Sequence, residues 1–136
     1  MKVRFTVLVA CLGLLSSGVA LAAHHSFTTE YDGDKTFDFT GKVSKVEWTN
    51  PHVRFYVDVV DEAGNVATWN LELASPSALS RNGWTSRTLK VGDEVAVKGY
   101  AAKVAPNRGN VRTVVTADGR SLFAGAADDG APGGDQ

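Results

Sequence analysis

Cysteine is almost absent: the chain has one, Cys11, close to its start. A chain without a cysteine pair has no disulfide to staple it, so its core must hold by burial alone. No charge of one sign dominates either, since 14 Lys and Arg against 15 Asp and Glu give a formal net charge of −1. That balance excludes the basic footprint of a nucleic-acid binder. Three catalytic signatures are also missing: a Gly-rich phosphate loop, an H-E-x-x-H helix and a G-x-S-x-G elbow. No cysteine nucleophile remains after Cys11, and no spacing ties a serine to a histidine, so no enzymatic role is expected.

The long apolar run is confined to the beginning. Lys2 and Arg4 precede an apolar stretch from Phe5 to Leu15, followed by small residues up to Ala20-Leu21-Ala22. This three-part pattern predicts a secretory signal peptide over residues 1–22. Ser16, Ser17 and Gly18 interrupt it and argue against a membrane span. Leu8-Val9-Ala10-Cys11 resembles a lipobox, but the apolar run before Cys11 is short and more apolar sequence follows it. The expectation is therefore a periplasmic or secreted protein with no membrane anchor after cleavage. Cleavage leaves residues 23–136, with a domain over 23–125 and an acidic, Gly- and Ala-rich tail over 126–136 expected to be disordered.

The domain alternates at strand spacing rather than helical spacing. In "FDFTGKVSKVEW" (37–48), Phe37, Phe39, Gly41 and Val43 share a face, and Val46 and Trp48 continue it after a one-residue slip. A slip of one reverses every side chain unless a bulge absorbs it, which predicts one long bent strand bulged near Ser44-Lys45. "VRFYVDVV" (53–60) and "ATWNLELA" (67–74) flank a Gly-containing turn and read as a hairpin. "SPSALSRNGW" (75–84) reads as one short helix, with Ser75 as cap, Pro76 at its first position, Leu79 as buried anchor and Gly83 as stop. "LKVGDEVAVKGY" (89–100) and "VRTVVTADGRSLF" (111–123) supply the remaining strands, the second ending in an Asp118-Gly119 turn and a short return. The fold expected from this order is all-β: a five-stranded OB-like Greek-key barrel with one short helix between strands 3 and 4. Trp48, Trp69 and Trp84 are in phase with apolar neighbours and read as core.

The blocks "AHHSF", "VEWTNPH", "ELASPSALSRNGW", "LKVGDEVAVKGY" and "ADGRSLFAG" together resemble a family of small exported bacterial proteins classed only as a domain of unknown function. The resemblance covers residues 23 to 125. It implies a secreted or periplasmic OB-like domain and brings no activity, cofactor or catalytic residue with it.

Two groups of residues are candidates for chemistry. The outer face of the second and third strands carries Arg54, Tyr56, Thr68, Asn70 and Glu72, with Lys98, Tyr100, Lys103, Asn107 and Arg108 nearby. OB-folds bind oligonucleotides and oligosaccharides on such a face, so Arg54, Tyr56, Asn70, Glu72, Lys103 and Arg108 are expected to bind a small polymer, peptide or protein partner. The plainer expectation is a solubilising face in which Arg54 and Glu72 pair across the sheet. The second group is the histidines. Cleavage after Ala22 would leave Ala23-His24-His25, whose free amine, backbone amides and third-position imidazole suit the planar nitrogen coordination of Cu(II). Cleavage one residue later would make His24 the terminus. His52, in the loop after Asn50-Pro51, could complete such a site or simply serve as a polar turn residue.

Overall fold

The alternation in the sequence becomes six strands and two short helices in the computed structural model, which describes residues 26–126 and 129–132. In chain order these are α1 (Ser26–Glu30), β1 (Tyr31–Glu47), β2 (Arg54–Val60), β3 (Val66–Glu72), α2 (Pro76–Arg81), β4 (Glu94–Ala102), β5 (Arg108–Thr116) and β6 (Ser121–Phe123). The protein is mostly β, as the alternation predicts. Among the described residues no helix is long and apolar enough to cross a membrane. The expected signal peptide, Ala23, His24 and His25 lie outside the described residues.

β1 is 17 residues long and serves two neighbours. Its first part pairs antiparallel with β4 from Tyr31 to Lys42, and its second part pairs with β2 from Lys42 to Glu47. The register with β2 shifts between Val43 and Lys45, which places the bulge where the one-residue slip predicts it. Gly41 leaves room for β2: a Cβ there would lie 2.4 Å from Val57 Cγ1 and 2.6 Å from the Asp58 carbonyl oxygen. β2 and β3 form the expected hairpin. Asp61 Oδ1 accepts from the backbone N–H groups of Ala63 and Asn65, both at 2.9 Å, and so ties the turn.

The sheet order is β3-β2-β1-β4-β5-β6, and β3 pairs in addition with β5, in parallel. Hydrogen-bonded neighbours therefore run β1-β2-β3-β5-β4 and return to β1, with β6 as the short return on β5. Phe55, Val57, Leu71, Val97, Val111 and Val114 are fully enclosed between these strands.

α2 has the cap that its sequence encodes. Ser75 Oγ accepts from the Ala78 N–H at 3.2 Å, Pro76 opens the helix and Leu79 is buried. Gly83 then takes φ +85° and turns the chain. Trp84 follows, buried, its indole N–H donating to the Phe123 carbonyl at 2.8 Å, which links the helix end to β6. Trp48 and Trp69 are half-buried and pack on the core, Trp69 with its ring centroid 4.8 Å from that of Phe39.

The chain departs from the sequence expectation at both ends of the domain. A second helix, α1, precedes β1, and β1 begins at Tyr31 rather than at Phe37. Phe27, Tyr31 and Ala131 form a small apolar cluster of their own, against which Tyr100 and Ala102 pack. Residues 129–132, assigned by composition to a disordered tail, pack on the body. Arg112 Nη1 donates to Asp129 Oδ2 at 2.5 Å, Ala131 is buried, and the Tyr100 hydroxyl donates to the Pro132 carbonyl at 3.0 Å. The physical reason is non-local. Arg112 supplies a counter-charge and Phe27 and Tyr31 supply apolar surface, and neither shows in the tail's own composition.

Candidate functional site

Strand register decides which polar residues meet. Across β2 and β3, Arg54 stands opposite Glu72 and Tyr56 opposite Asn70. Across β3 and β5, Asn70 stands beside Arg108 and Glu72 beside Asn110. Directly opposed residues share a face of the sheet, so the four residues expected on the outer face of β2 and β3 do lie together.

Their state differs from a solvated face. Alternation along β3 points Glu72 away from the core, yet it is buried, at 7% exposure. It lines a cavity of about 30 Å3 together with Phe27, Tyr31, His52, Asn110 and Asp129. α1 and the 129–132 segment thus bring their own side chains over this part of the face. A buried carboxylate needs partners, and Glu72 has two. Its Oε2 is bound by Arg54 Nη2, and its Oε1 lies 3.4 Å from His52 Nδ1. Arg54 is held further by Asn70, whose Oδ1 accepts from Nη1 at 3.2 Å. Arg54, Asn70, Glu72 and His52 therefore form one connected cluster.

The other expected ligand residues are divided. Tyr56 lies to one side, with the Lys45 ammonium 5.1 Å from its ring centroid and its hydroxyl 3.4 Å from Glu47 Oε2. Lys45 and Glu47 pair at 2.6 Å, and this hydrogen bond holds the Glu47 carboxyl below its ordinary range. Lys103 and Arg108 are committed to α1: Lys103 Nζ donates to the Thr28 carbonyl at 2.5 Å, and Arg108 pairs with Glu30. Lys98 pairs with Asp38 at 2.8 Å on the exposed surface.

Three members of the cavity were not found by reading the sequence. The hydroxyl of Tyr31 and Oδ1 of Asn110 are buried without a hydrogen-bond partner. Burial pushes the Tyr31 hydroxyl well above its ordinary titration range, with the carboxylates of Glu72 and Glu30 adding to the effect, so it stays protonated. Asp129 reaches the cavity from the far end of the chain. Asn110 precedes the strand that the sequence predicts from Val111, and β5 instead begins at Arg108, which carries Asn110 into the sheet beside Glu72.

For the histidines, His52 shares its cavity with Phe27 of α1, and α1 begins directly after His25 in the sequence. His24 and His25 themselves lie outside the described residues. Among the described residues no group of three or more His, Cys, Asp or Glu side chains is placed to hold a metal ion.

No curated protein matches the chain. A family model does, over residues 10–112, which spans β1 to β4 and the first half of β5. With most of its length covered, the chain belongs to the family of unknown function DUF6152.

Proposed function

We propose that the chain is an exported, non-catalytic binding module built as an OB-like Greek-key barrel. Support for the barrel comes from the circuit of pairings β1-β2-β3-β5-β4, with α2 between β3 and β4, the strand order that a closed five-stranded OB arrangement requires. Its ligand, a small polymer, peptide or protein partner, binds on the β2–β3 face. The observation that carries this reading lies at the edge of that face, where a cavity with room for one small polar group of a larger ligand is lined by Glu72, His52 and the residues of two buried oxygens that have no partner. Native interiors leave few polar atoms unpaired, and sites for ligands are where such atoms gather. The test is a thermal-shift screen of oligosaccharides and short peptides, followed by titration of Tyr56→Ala and Asn110→Ala. Both variants weaken a genuine ligand about tenfold, the loss of one good contact. Unchanged affinity in both places the ligand elsewhere.

A second reading is favoured by one observation, the sharing of a cavity by His52 and Phe27. On this reading the exported protein binds Cu(II) through the Ala23 amine, His24, His25 and His52. Copper suits such a nitrogen-rich set. Mass spectrometry of the exported protein identifies its first residue, and a start other than Ala23 or His24 removes this reading. Copper titration of His25→Ala then shows a lost tight site if the reading holds.

A further inference from the structure

We propose that the outer surface between α1, β4 and β5 is a receptor for acidic peptide segments, and that residues 129–132 occupy it as a ligand supplied by the chain itself. This rests on the reading of the protein as a binding module and names the class of its partner. That partner is an extended segment of another protein, with a carboxylate and, two residues on, a side chain the size of alanine.

The receptor is built around Arg112. Lys98 pairs with Thr113 and Gly99 with Val111, so Arg112 is the extra residue in the register shift between β4 and β5. Bulges of this kind re-aim a side chain. The guanidinium lies 5.1 Å from the centroid of the Phe123 ring, and only 11% of the Arg112 side chain is exposed. A cation so poorly solvated needs an anion beside it. Next to it, Tyr100 on β4 offers a hydroxyl, and Phe27 and Tyr31 with Ala102 offer an apolar recess.

The chain's own segment shows what fits. Asp129 Oδ2 accepts from Arg112 Nη1 at 2.5 Å, and Asp129 Oδ1 accepts from the Ala131 N–H at 3.0 Å. Ala131 enters the recess with Phe27 and Tyr31. The Pro132 carbonyl accepts from the Tyr100 hydroxyl at 3.0 Å, and the Pro132 ring rests on Gly33, where a Cβ would lie 2.9 Å from Pro132 Cγ. A carboxylate, a small apolar side chain and a backbone carbonyl thus meet β5, α1 with the start of β1, and β4 in turn. These are the groups by which an extended peptide is recognised.

Two observations make this occupant exchangeable. Its grip is slight, because beyond Asp129 the segment buries the methyl group of Ala131 while Gly130 has no side chain and Pro132 is exposed. Its fit is also incomplete. Ala126 and Asp129 line the cavity of about 30 Å3 together with Tyr31 and Asn110, whose buried hydroxyl and Oδ1 have no partner. The segment helps to enclose these residues without pairing their oxygens, which native contacts rarely do. Glu72 and Asp129, the carboxylates of that cavity, are each bound to an arginine, so the group accepted there is neutral. A peptide that brings a neutral polar group to this point gains hydrogen bonds that the chain's own segment does not make.

The experiment supplies the segment from outside. The probe is a synthetic peptide, Ala-Ala-Asp-Asp-Gly-Ala-Pro, with blocked ends, titrated calorimetrically into the full chain carrying Asp129→Ala. The variant binds it and regains amide protection around Tyr31. Wild type binds it at least about tenfold more weakly, because the tethered segment competes at a high effective concentration. A peptide with asparagine in place of its second aspartate binds the variant at least about tenfold more weakly, the loss of one charge-assisted contact. Should Asp129→Ala fail to fold because Arg112 loses its counter-charge, Asp129→Asn, which keeps an oxygen for Arg112 and for the Ala131 N–H, takes its place. No binding by the variant, equal affinity for the asparagine peptide, or equal affinity for wild type overturns the inference and leaves the segment a structural part of the fold. A saccharide found in the thermal-shift screen and weakened by Tyr56→Ala would then keep the binding-module reading while the peptide partner falls.

Discussion

Arg54 and Glu72 face each other across β2 and β3, the guanidinium bound to a carboxylate whose side chain is only 9% exposed. Their pairing is more than a surface contact, because removing either partner leaves the other charge in a poorly solvated place. Arg54→Ala is expected to destabilise the protein by about 3 kcal/mol. Arg54→Met/Glu72→Met, which removes both charges, should cost clearly less than that. Urea unfolding of the three proteins checks this, and a double variant less stable than Arg54→Ala contradicts it.

Tyr31 makes stability depend on alkaline pH. Its hydroxyl is raised in the folded state, first by burial and then by Glu72 and Glu30. The folded protein therefore keeps a proton that the unfolded chain begins to lose near pH 10. The resulting stabilisation is fully present below that pH and declines as pH rises above it. Tyr31→Phe removes this dependence and also removes a buried hydroxyl without a partner, so at pH 7 it should be no less stable than wild type. Unfolding free energies from pH 7 to 11 decide both points.

Gly99 is required by space. A Cβ there would lie 2.1 Å from the Asn110 carbonyl oxygen and 2.8 Å from Phe37 Cζ, beside the register shift between β4 and β5. Backbone cannot yield as a side chain can, so Gly99→Ala should cost about 3 kcal/mol. Gly64 is the contrast, with nothing near its Cβ position but φ +86°, and its alanine variant should cost about 1 kcal/mol. Equal losses at the two positions in chemical denaturation would refute the distinction.

Asp129 holds the C-terminal segment. It pairs with Arg112, whose side chain is 11% exposed, and its Oδ1 accepts from the Ala131 N–H at 3.0 Å. Asp129→Ala should lower stability by about 2 kcal/mol, since it strands a mostly buried guanidinium. Amide hydrogen exchange should rise around Tyr31 and Ala131, which pack together. Protection there equal to wild type would show that the segment is held by other contacts.

The strands were legible because side-chain alternation is a local property. The β1 bulge followed from the slip between Val43 and Val46, and α2 from Ser75, Pro76, Leu79 and Gly83 in order. α1 was not legible: Ser26–Glu30 is five residues long, too short to show a helical period. At the site, the shared face of Arg54, Tyr56, Asn70 and Glu72 could be read, since positions two apart on a strand point the same way. Tyr31, Asn110 and Asp129 could not, because they arrive from three separate parts of the chain.

The sequence by itself determined which residues alternate, where strands bend and turn, and how α2 is capped, since each depends on neighbours within a few positions. Only the tertiary structure decided that Glu72 is buried, that Lys103 and Arg108 hold α1, and that Asp129 returns to Arg112. Alternation assigns a residue to a face of the sheet. What covers that face depends on contacts between segments far apart in the chain, here β3 with α1 and with the segment after β6, and no local pattern encodes them.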